Sequence, residues 1–509
     1  MARAPATRAR TEAVRGACCG DGRPGPGAGR RVAGPRRTDD ARASAGAAPR
    51  PPAAPSLDLA TPRSSVAPQR PSIVGGALSA LLARGGVRGR GAAPQQAPRP
   101  TAPRAGTLSV RAKPVPDRAQ RFFAPCPRGL EQVLADELAT LGAAQVSPTD
   151  GGVGFSGPFT LGYRVCLWSR IASRVLWQLA ESEYRHEEEI YRLARNIDWP
   201  HLFSARETIR VQVDAIRSPL TSLEFVTLRV KDAIVDRFRA AMASRPSVNT
   251  SMPDMRIHVF LTAYKATVYL DLAGEALFKR GYRREGLLAP LRENLAAGML
   301  ALKGWTGQMP LFDPMCGSGT ILTEAAMIAM HVAPGAQRAF AFEKLRNYDE
   351  AAFKQMREEA AQGVKPLAAN LLFGNDRSED AIATTRRHLQ NIGGEATAAA
   401  VTLTNEAMET LPAPVAALSS GLLLTNPPYG ERLNELAELK AWYPAVGAWL
   451  KRTMAGWRAC FITADRDLPS GIGFKPSKRT PLFNGALDCR LFEFGLYAGT
   501  RRTDRAASP

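Results

Sequence analysis

Between Met309 and Tyr497 short apolar runs recur, several of them separated by helix-like stretches, and this succession restricts the fold of the chain more than any other feature. Met309–Asp313, 371–374, 399–403, 422–425, 459–463 and 491–497 read as strands, and Ile321–Met330 reads as a helix. Strands alternating with helices predict a largely parallel, doubly wound α/β sheet over 285–500. Ligands of such sheets sit at the carboxyl ends of the strands. The functional residues are therefore expected in the loops that follow the apolar runs.

Three of those loops carry chemistry. Asp313-Pro-Met-Cys-Gly-Ser-Gly-Thr320 lies between a strand and a helix. Its glycines let backbone N–H groups and a helix N-terminus approach a bound group, and the acid can meet a cation or a ribose. Leu322 stands where a dinucleotide fingerprint needs its third Gly, and no Lys follows the glycines as in a P-loop. Gly374-Asn-Asp376 places an acid after the second strand, where it can accept from ribose hydroxyls. Asn426-Pro-Pro-Tyr429 follows the buried strand 422–425. Two prolines stiffen that backbone and remove N–H donors, leaving carbonyl acceptors. The Asn426 side-chain oxygen and the Pro427 carbonyl can each accept one N–H of an exocyclic amine, freeing the nitrogen lone pair for attack. Tyr429 is placed to stack on the base, a contact worth roughly 1–3 kcal/mol.

Ahead of this region, 120–284 reads as a separate α+β unit. Leu130, Val133, Leu134, Leu138 and Leu141 mark a helical face closed by Gly142, behind turn residues at 121–129. Ile209–Ala215 alternates as a half-buried strand, residues 223–238 trace a helix, and 257–262 with 266–271 form a hairpin. Phe278-Lys-Arg-Gly-Tyr-Arg-Arg284 gathers Lys279, Arg280, Arg283 and Arg284 around a Tyr, a pattern suited to gripping phosphates and stacking a base.

Residues 1–113 differ in kind. They hold 20 basic side chains against five acidic ones, a surplus of 15 within the chain's net charge of +20. Rich in Ala, Arg, Pro and Gly and without apolar periodicity, the segment is expected to be disordered. It reads as an electrostatic tether for nucleic acid, an Arg-rich transit peptide, a tolerated extension or translated sequence upstream of the true start. No apolar run reaches the ~20 residues that span a bilayer, so no membrane partner is expected. Seven cysteines without CxxC spacing and five unclustered histidines predict no metal and no disulfide framework. A reducing compartment follows, the cytoplasm, or an organelle matrix if the N-terminus is a transit peptide.

DPMCGSGT at 313–320 and NPPYGERL at 426–433 resemble the cofactor and catalytic loops of S-adenosylmethionine-dependent amino-methyltransferases. Further segments at 122–131, 169–176, 218–225, 277–283, 289–300 and 483–494 are similar to the bacterial RNA guanine-N2 methyltransferases that carry a THUMP domain, those acting on large-subunit (23S) ribosomal RNA in particular. The resemblance covers about 120–498. It implies a ferredoxin-like plus THUMP RNA-binding module, a class I methyltransferase domain, S-adenosylmethionine as cofactor, and ribosomal RNA or its assembly precursor as partner. It places Asp313, Gly317 and Gly319 in the cofactor loop, Asp376 at the ribose, and Asn426, Pro427 and Tyr429 at the reacting amine. Where such enzymes carry an Asp beside the adenine, this chain has Asn405, whose side-chain oxygen can accept the same hydrogen bond. The second, C-terminal methyltransferase domain of some such enzymes is not expected here. N6-adenine methylation of nucleic acid, protein-glutamine methylation, or a non-catalytic role in ribosome assembly are the alternatives, since the same loop serves any aryl or amide-like amine.

Overall fold

A seven-stranded sheet is built from the first half of the described chain. The computed structural model describes residues 119–283, 291–411, 415–428 and 433–498, with the backbone alone at 433–436; the segment 1–113, Arg284 and Tyr429 lie outside the described residues. The first elements are β1 (Gln120–Pro125), α1 (Glu131–Thr140), β2 (Ala144–Thr149), β3 (Gly152–Gly157), α2 (Phe159–Trp168), β4 (Leu176–Glu183), α3 (Glu187–Asn196) and α4 (Trp199–Leu202). They continue with β5 (Ile209–Ala215), α5 (Leu223–Met242), β6 (Met255–Leu261) and β7 (Lys265–Asp271). The strands lie in the order β2-β3-β1-β4-β7-β6-β5, antiparallel except for β5 beside β6. The stretch 121–129, expected as turn residues, opens with a strand between β3 and β4. Phe122 and Ala124 face the core and Phe123 does not, a period of two cut short by Pro125 and Pro127.

The second half contains α6 (Glu293–Leu302), β8 (Leu311–Asp313), α7 (Thr320–Ala329), α8 (Glu350–Gln362), β9 (Leu372–Asn375), α9 (Glu379–Ala399), β10 (Thr402–Thr404) and β11 (Leu422–Thr425). It ends with α10 (Leu433–Thr453), β12 (Arg458–Thr463), α11 (Leu468–Gly471), β13 (Lys478–Asn484) and β14 (Leu487–Gly495). Its sheet runs β10-β9-β8-β11-β12-β14-β13, with the first five strands parallel and β14 antiparallel to both neighbours. The order reverses at β8 and β11, so their carboxyl ends flank the crevice where a doubly wound sheet binds its ligand.

One expected strand shifts, and one strand goes unforeseen. The strand expected at 399–403 is helical at its start, because Gly394, at φ +76°, lets the chain kink and the Ala-rich 396–399 then continues as helix. The edge strand β13 carries only Leu482 inward, too little periodicity to read from sequence. Apolar packing is continuous between the halves. A Cβ on Gly298 of α6 would lie 2.2 Å from Leu130, and one on Gly129 would lie 2.3 Å from the Pro481 carbonyl oxygen. Tyr163 of α2 stacks on Phe342 at 4.3 Å and meets Phe353 edge-on at 5.9 Å. Among the described residues no helix is long and apolar enough to cross a membrane.

Candidate active site

The ends of β8 and β11 and the start of α9 meet at one cavity of about 430 Å³. Its wall includes Asp313, Met315, Cys316, Gly317, Ser318 and Thr320 from the β8–α7 connection, Asp380 and Thr384 from α9, and Asn426 after β11. The size falls within the usual range of small-molecule sites. The loop after β8 folds back on itself through Gly317 and Gly319, at φ +53° and +71°. A Cβ on Gly319 would stand 2.5 Å from Thr385, whereas one on Gly317 would meet nothing within 4 Å. Gly319 is thus required by packing against α9. Gly317 leaves its backbone exposed to the cavity. The Thr385 hydroxyl donates to the Gly317 carbonyl at 2.9 Å, and a ring nitrogen of His388 lies 2.8 Å from the Ser318 carbonyl, so α9 holds the loop from behind.

Asp313 is fully buried at the end of β8 and accepts from the Thr425 hydroxyl at 2.7 Å and the Met315 N–H at 3.2 Å. Burial pushes its carboxyl up to about 7, Asp376 pushes in the same direction, and those two hydrogen bonds oppose them. A buried carboxylate held by a hydroxyl and an amide, with a second acid nearby, is a ready partner for a cation. Asp376 accepts from the Gly317 N–H at 2.8 Å and from the Ser378 N–H at 2.9 Å, so its half-buried carboxylate sits at the mouth of the same loop. Asn405 donates its amide to the Asp376 carbonyl at 2.8 Å, which fixes the side chain beside that acid. After β11, Asn426 is half-buried and Pro427 buried.

Asn375, which sequence reasoning passed over, ties the loops after β8 and β10 to the end of β9. Its amide donates to the Pro314 carbonyl at 3.1 Å and the Glu406 carbonyl at 3.0 Å, and its oxygen accepts from the Thr404 hydroxyl and the Glu406 N–H. Thr425, which orients Asp313, was also missed. An Asn and a Thr ending apolar strands are the only sequence signal of either.

The basic segment 278–284 does not present the surface expected of it. Arg280 is buried and pairs with Glu324 of α7 at 3.2 Å, donating as well to the Leu277 and Arg170 carbonyls at 2.8 and 2.6 Å. Tyr282 is buried edge-on to His388 at 5.4 Å and cannot stack on a base. Arg283 pairs with Glu293 at 3.2 Å and donates to the Thr320 hydroxyl. These side chains tie α6 and α7 together instead of facing RNA, because buried acids at 293 and 324 lie within their reach. Of the three described cations Lys279, Arg280 and Arg283, Lys279 is the exposed one, in contact with Glu275 at 2.5 Å.

Family models match three parts of the chain: the RlmL ferredoxin-like domain at 121–176, the THUMP domain at 184–271, and the RMKL-like methyltransferase domain at 280–493. The chain belongs to the THUMP-domain-containing, S-adenosylmethionine-dependent class I methyltransferases. Among curated relatives, the ribosomal RNA large subunit methyltransferase K/L of Syntrophotalea carbinolica is 40% identical over 389 residues, covering 75% of this chain and 54% of the relative. The enzyme of the same name from Aeromonas salmonicida is 39% identical over 390 residues, 73% of this chain and 54% of the relative. The chain therefore spans about half the length of the curated relatives it matches. The structure of SMU.472 complexed with SAH superposes with a TM-score of 0.66 at 30% identity, covering 75% of this chain and all of that one. A structure described as "a possible methylase" from Clostridium difficile 630 gives 0.68 at 30% identity over the same shares. In this methyltransferase family the first sheet is the ferredoxin-like and THUMP module, and the second is the class I domain that carries the cavity.

Proposed function

We propose that this methyltransferase transfers a methyl group to the exocyclic N2 amine of a guanine in large-subunit (23S) ribosomal RNA. The observation that carries the reading is a single cavity lined both by the glycine loop from Asp313 and by Asn426. S-adenosylmethionine, bound there, supplies a methyl group on a positively charged sulfur. Asp313 holds the cationic end of that cofactor, Gly317 opens the backbone to it while Gly319 lets the loop turn against α9, Asp376 accepts from the ribose hydroxyls, and Asn405 accepts from the adenine amine.

At the guanine, the Asn426 side-chain oxygen and the Pro427 carbonyl accept the two amine N–H groups. That draws the nitrogen out of conjugation and aims its lone pair at the methyl. Tyr429 stacks on the flipped base; extracting a base from a helix costs a few kcal/mol, which a loop or bulge target lowers. No strong general base is required, since the surplus proton can leave to water after transfer. The ferredoxin-like and THUMP half positions the RNA backbone, with Lys279 and Arg284 as further RNA-contacting residues, and the enzyme acts in the cytoplasm where large subunits assemble. The names of the curated relatives support the ribosomal substrate.

Incubating the protein with S-adenosylmethionine and unmodified 23S RNA, then hydrolysing to nucleosides, should yield N2-methylguanosine by mass spectrometry. A second reading, N6-adenine methylation, is favoured by a structure described as "a predicted N6-adenine-specific DNA methylase" from Listeria monocytogenes, 26% identical at a TM-score of 0.66 over 74% of this chain and 97% of that one. N6-methyladenosine in that digest, with no methylguanosine, would overturn the guanine assignment.

A further inference from the structure

Arg283 stands directly behind the wall of the cavity. One terminal nitrogen donates to the Thr320 hydroxyl and lies 3.5 Å from the Leu291 carbonyl, and both residues line the cavity. The other terminal nitrogen is the one paired with Glu293. Its Nε is buried without a hydrogen-bond partner among the described residues. A guanidinium has five N–H donors in a rigid fork, so this one retains capacity for a further acceptor.

The cavity wall itself carries the acids Asp313 and Asp380 and, among the described residues, no Lys or Arg. Those acids suit a cationic ligand. The cofactor of the proposed function, on which this inference rests, ends in an amino acid that bears an ammonium and a carboxylate on one carbon. The carboxylate needs a cation, and among the described residues the guanidinium touching Thr320 and Leu291 is placed to supply it. We infer that Arg283 recognises the α-carboxylate of the cofactor's methionyl end, with Thr320 holding the guanidinium at the wall. Charge-assisted, planar pairing of this kind is what Arg provides and Lys does not.

The test compares S-adenosylhomocysteine with its decarboxylated analogue, which keeps the adenosine, thioether and amine. Calorimetry on the wild-type protein should show a preference for the carboxylate-bearing ligand of about tenfold or more, equivalent to about 1.4 kcal/mol. R283Q should lose that preference by weakening the carboxylate-bearing ligand alone. T320V should lose part of it. R283K, which keeps the charge facing Glu293 and serves should R283Q fail to fold, should retain a reduced preference because it lacks the fork. Equal weakening of both ligands by R283Q, or an undiminished preference in R283K, would show that Arg283 only supports the loop and would overturn the assignment. A wild-type protein that binds neither ligand would instead remove the cofactor reading, and this inference with it.

Discussion

Replacing Asp313 by Asn probes the electrostatics of the cavity most directly. Burial raises this carboxyl to about 7 in the folded protein, while an aspartate in an unfolded chain titrates near 3.9. Between those values the folded state keeps a proton that the unfolded state has released. Stability therefore falls as pH rises through this window, and the whole deficit is present only above about 7. At about 1.4 kcal/mol for each pH unit, a window from about 4 to about 7 amounts to roughly 4 kcal/mol. The Asp313→Asn side chain does not titrate, and its oxygen can still accept from Thr425 and Met315. Subtracting the wild-type Tm from that of the variant should give a small difference at pH 5 that grows in favour of the variant by pH 8, by several degrees. The ionised carboxylate that weakens the ligand-free fold is also the form that attracts a cation. Wild-type affinity for S-adenosylmethionine should accordingly rise as pH passes about 7, whereas the variant should bind weakly with no such rise. Scanning fluorimetry and calorimetry across pH 5–8 measure both. A Tm difference independent of pH would refute the reasoning, since it would mean that Asp313 titrates in the fold as it does in water.

Asn426→Ala should lower kcat severely and leave cofactor affinity nearly unchanged, as read from methyl transfer and S-adenosylhomocysteine titration; near-normal turnover would remove the amine-activation mechanism. Arg280→Ala leaves Glu324 buried without its cation, so thermal or chemical unfolding should show a loss of roughly 3–5 kcal/mol. The salt dependence of RNA binding by that variant should stay as it is, and a flatter slope would return Arg280 to the RNA surface. Gly319→Ala forces a Cβ against Thr385 at 2.5 Å in a left-handed backbone, so it should lower Tm and abolish cofactor binding together. The class I domain cut out from residue 291 should aggregate or melt early by circular dichroism, because removing the first half uncovers Gly298, Phe342 and Phe353; a stable, cofactor-binding fragment would contradict the shared core.

The sequence alone determined the parts of this protein whose chemistry is local. A strand, a glycine turn and a helix are encoded within a dozen residues, so the loop from Asp313 to Thr320, the acid at 376 and the Asn-Pro-Pro turn at 426 could be read without coordinates. So could the class of sheet that brings their strand ends to one side. The tertiary structure decided everything that depends on what lies opposite. A cluster of cations at 279–284 has the composition of an RNA grip, yet Arg280 meets Glu324 and Arg283 meets Glu293 and Thr320. Partners from 10 to 44 positions away turn a solvated patch into a buried brace, and no local pattern announces them. The same holds for Asn375, whose two ends satisfy loops on either side of it, and for the boundary near 284, where one apolar core continues through both halves. The carboxyl of Asp313 shows the division in a single group. Its place at a strand end is written in the sequence, but its protonation near neutral pH exists only because folding removes water from around it and brings Asp376 close.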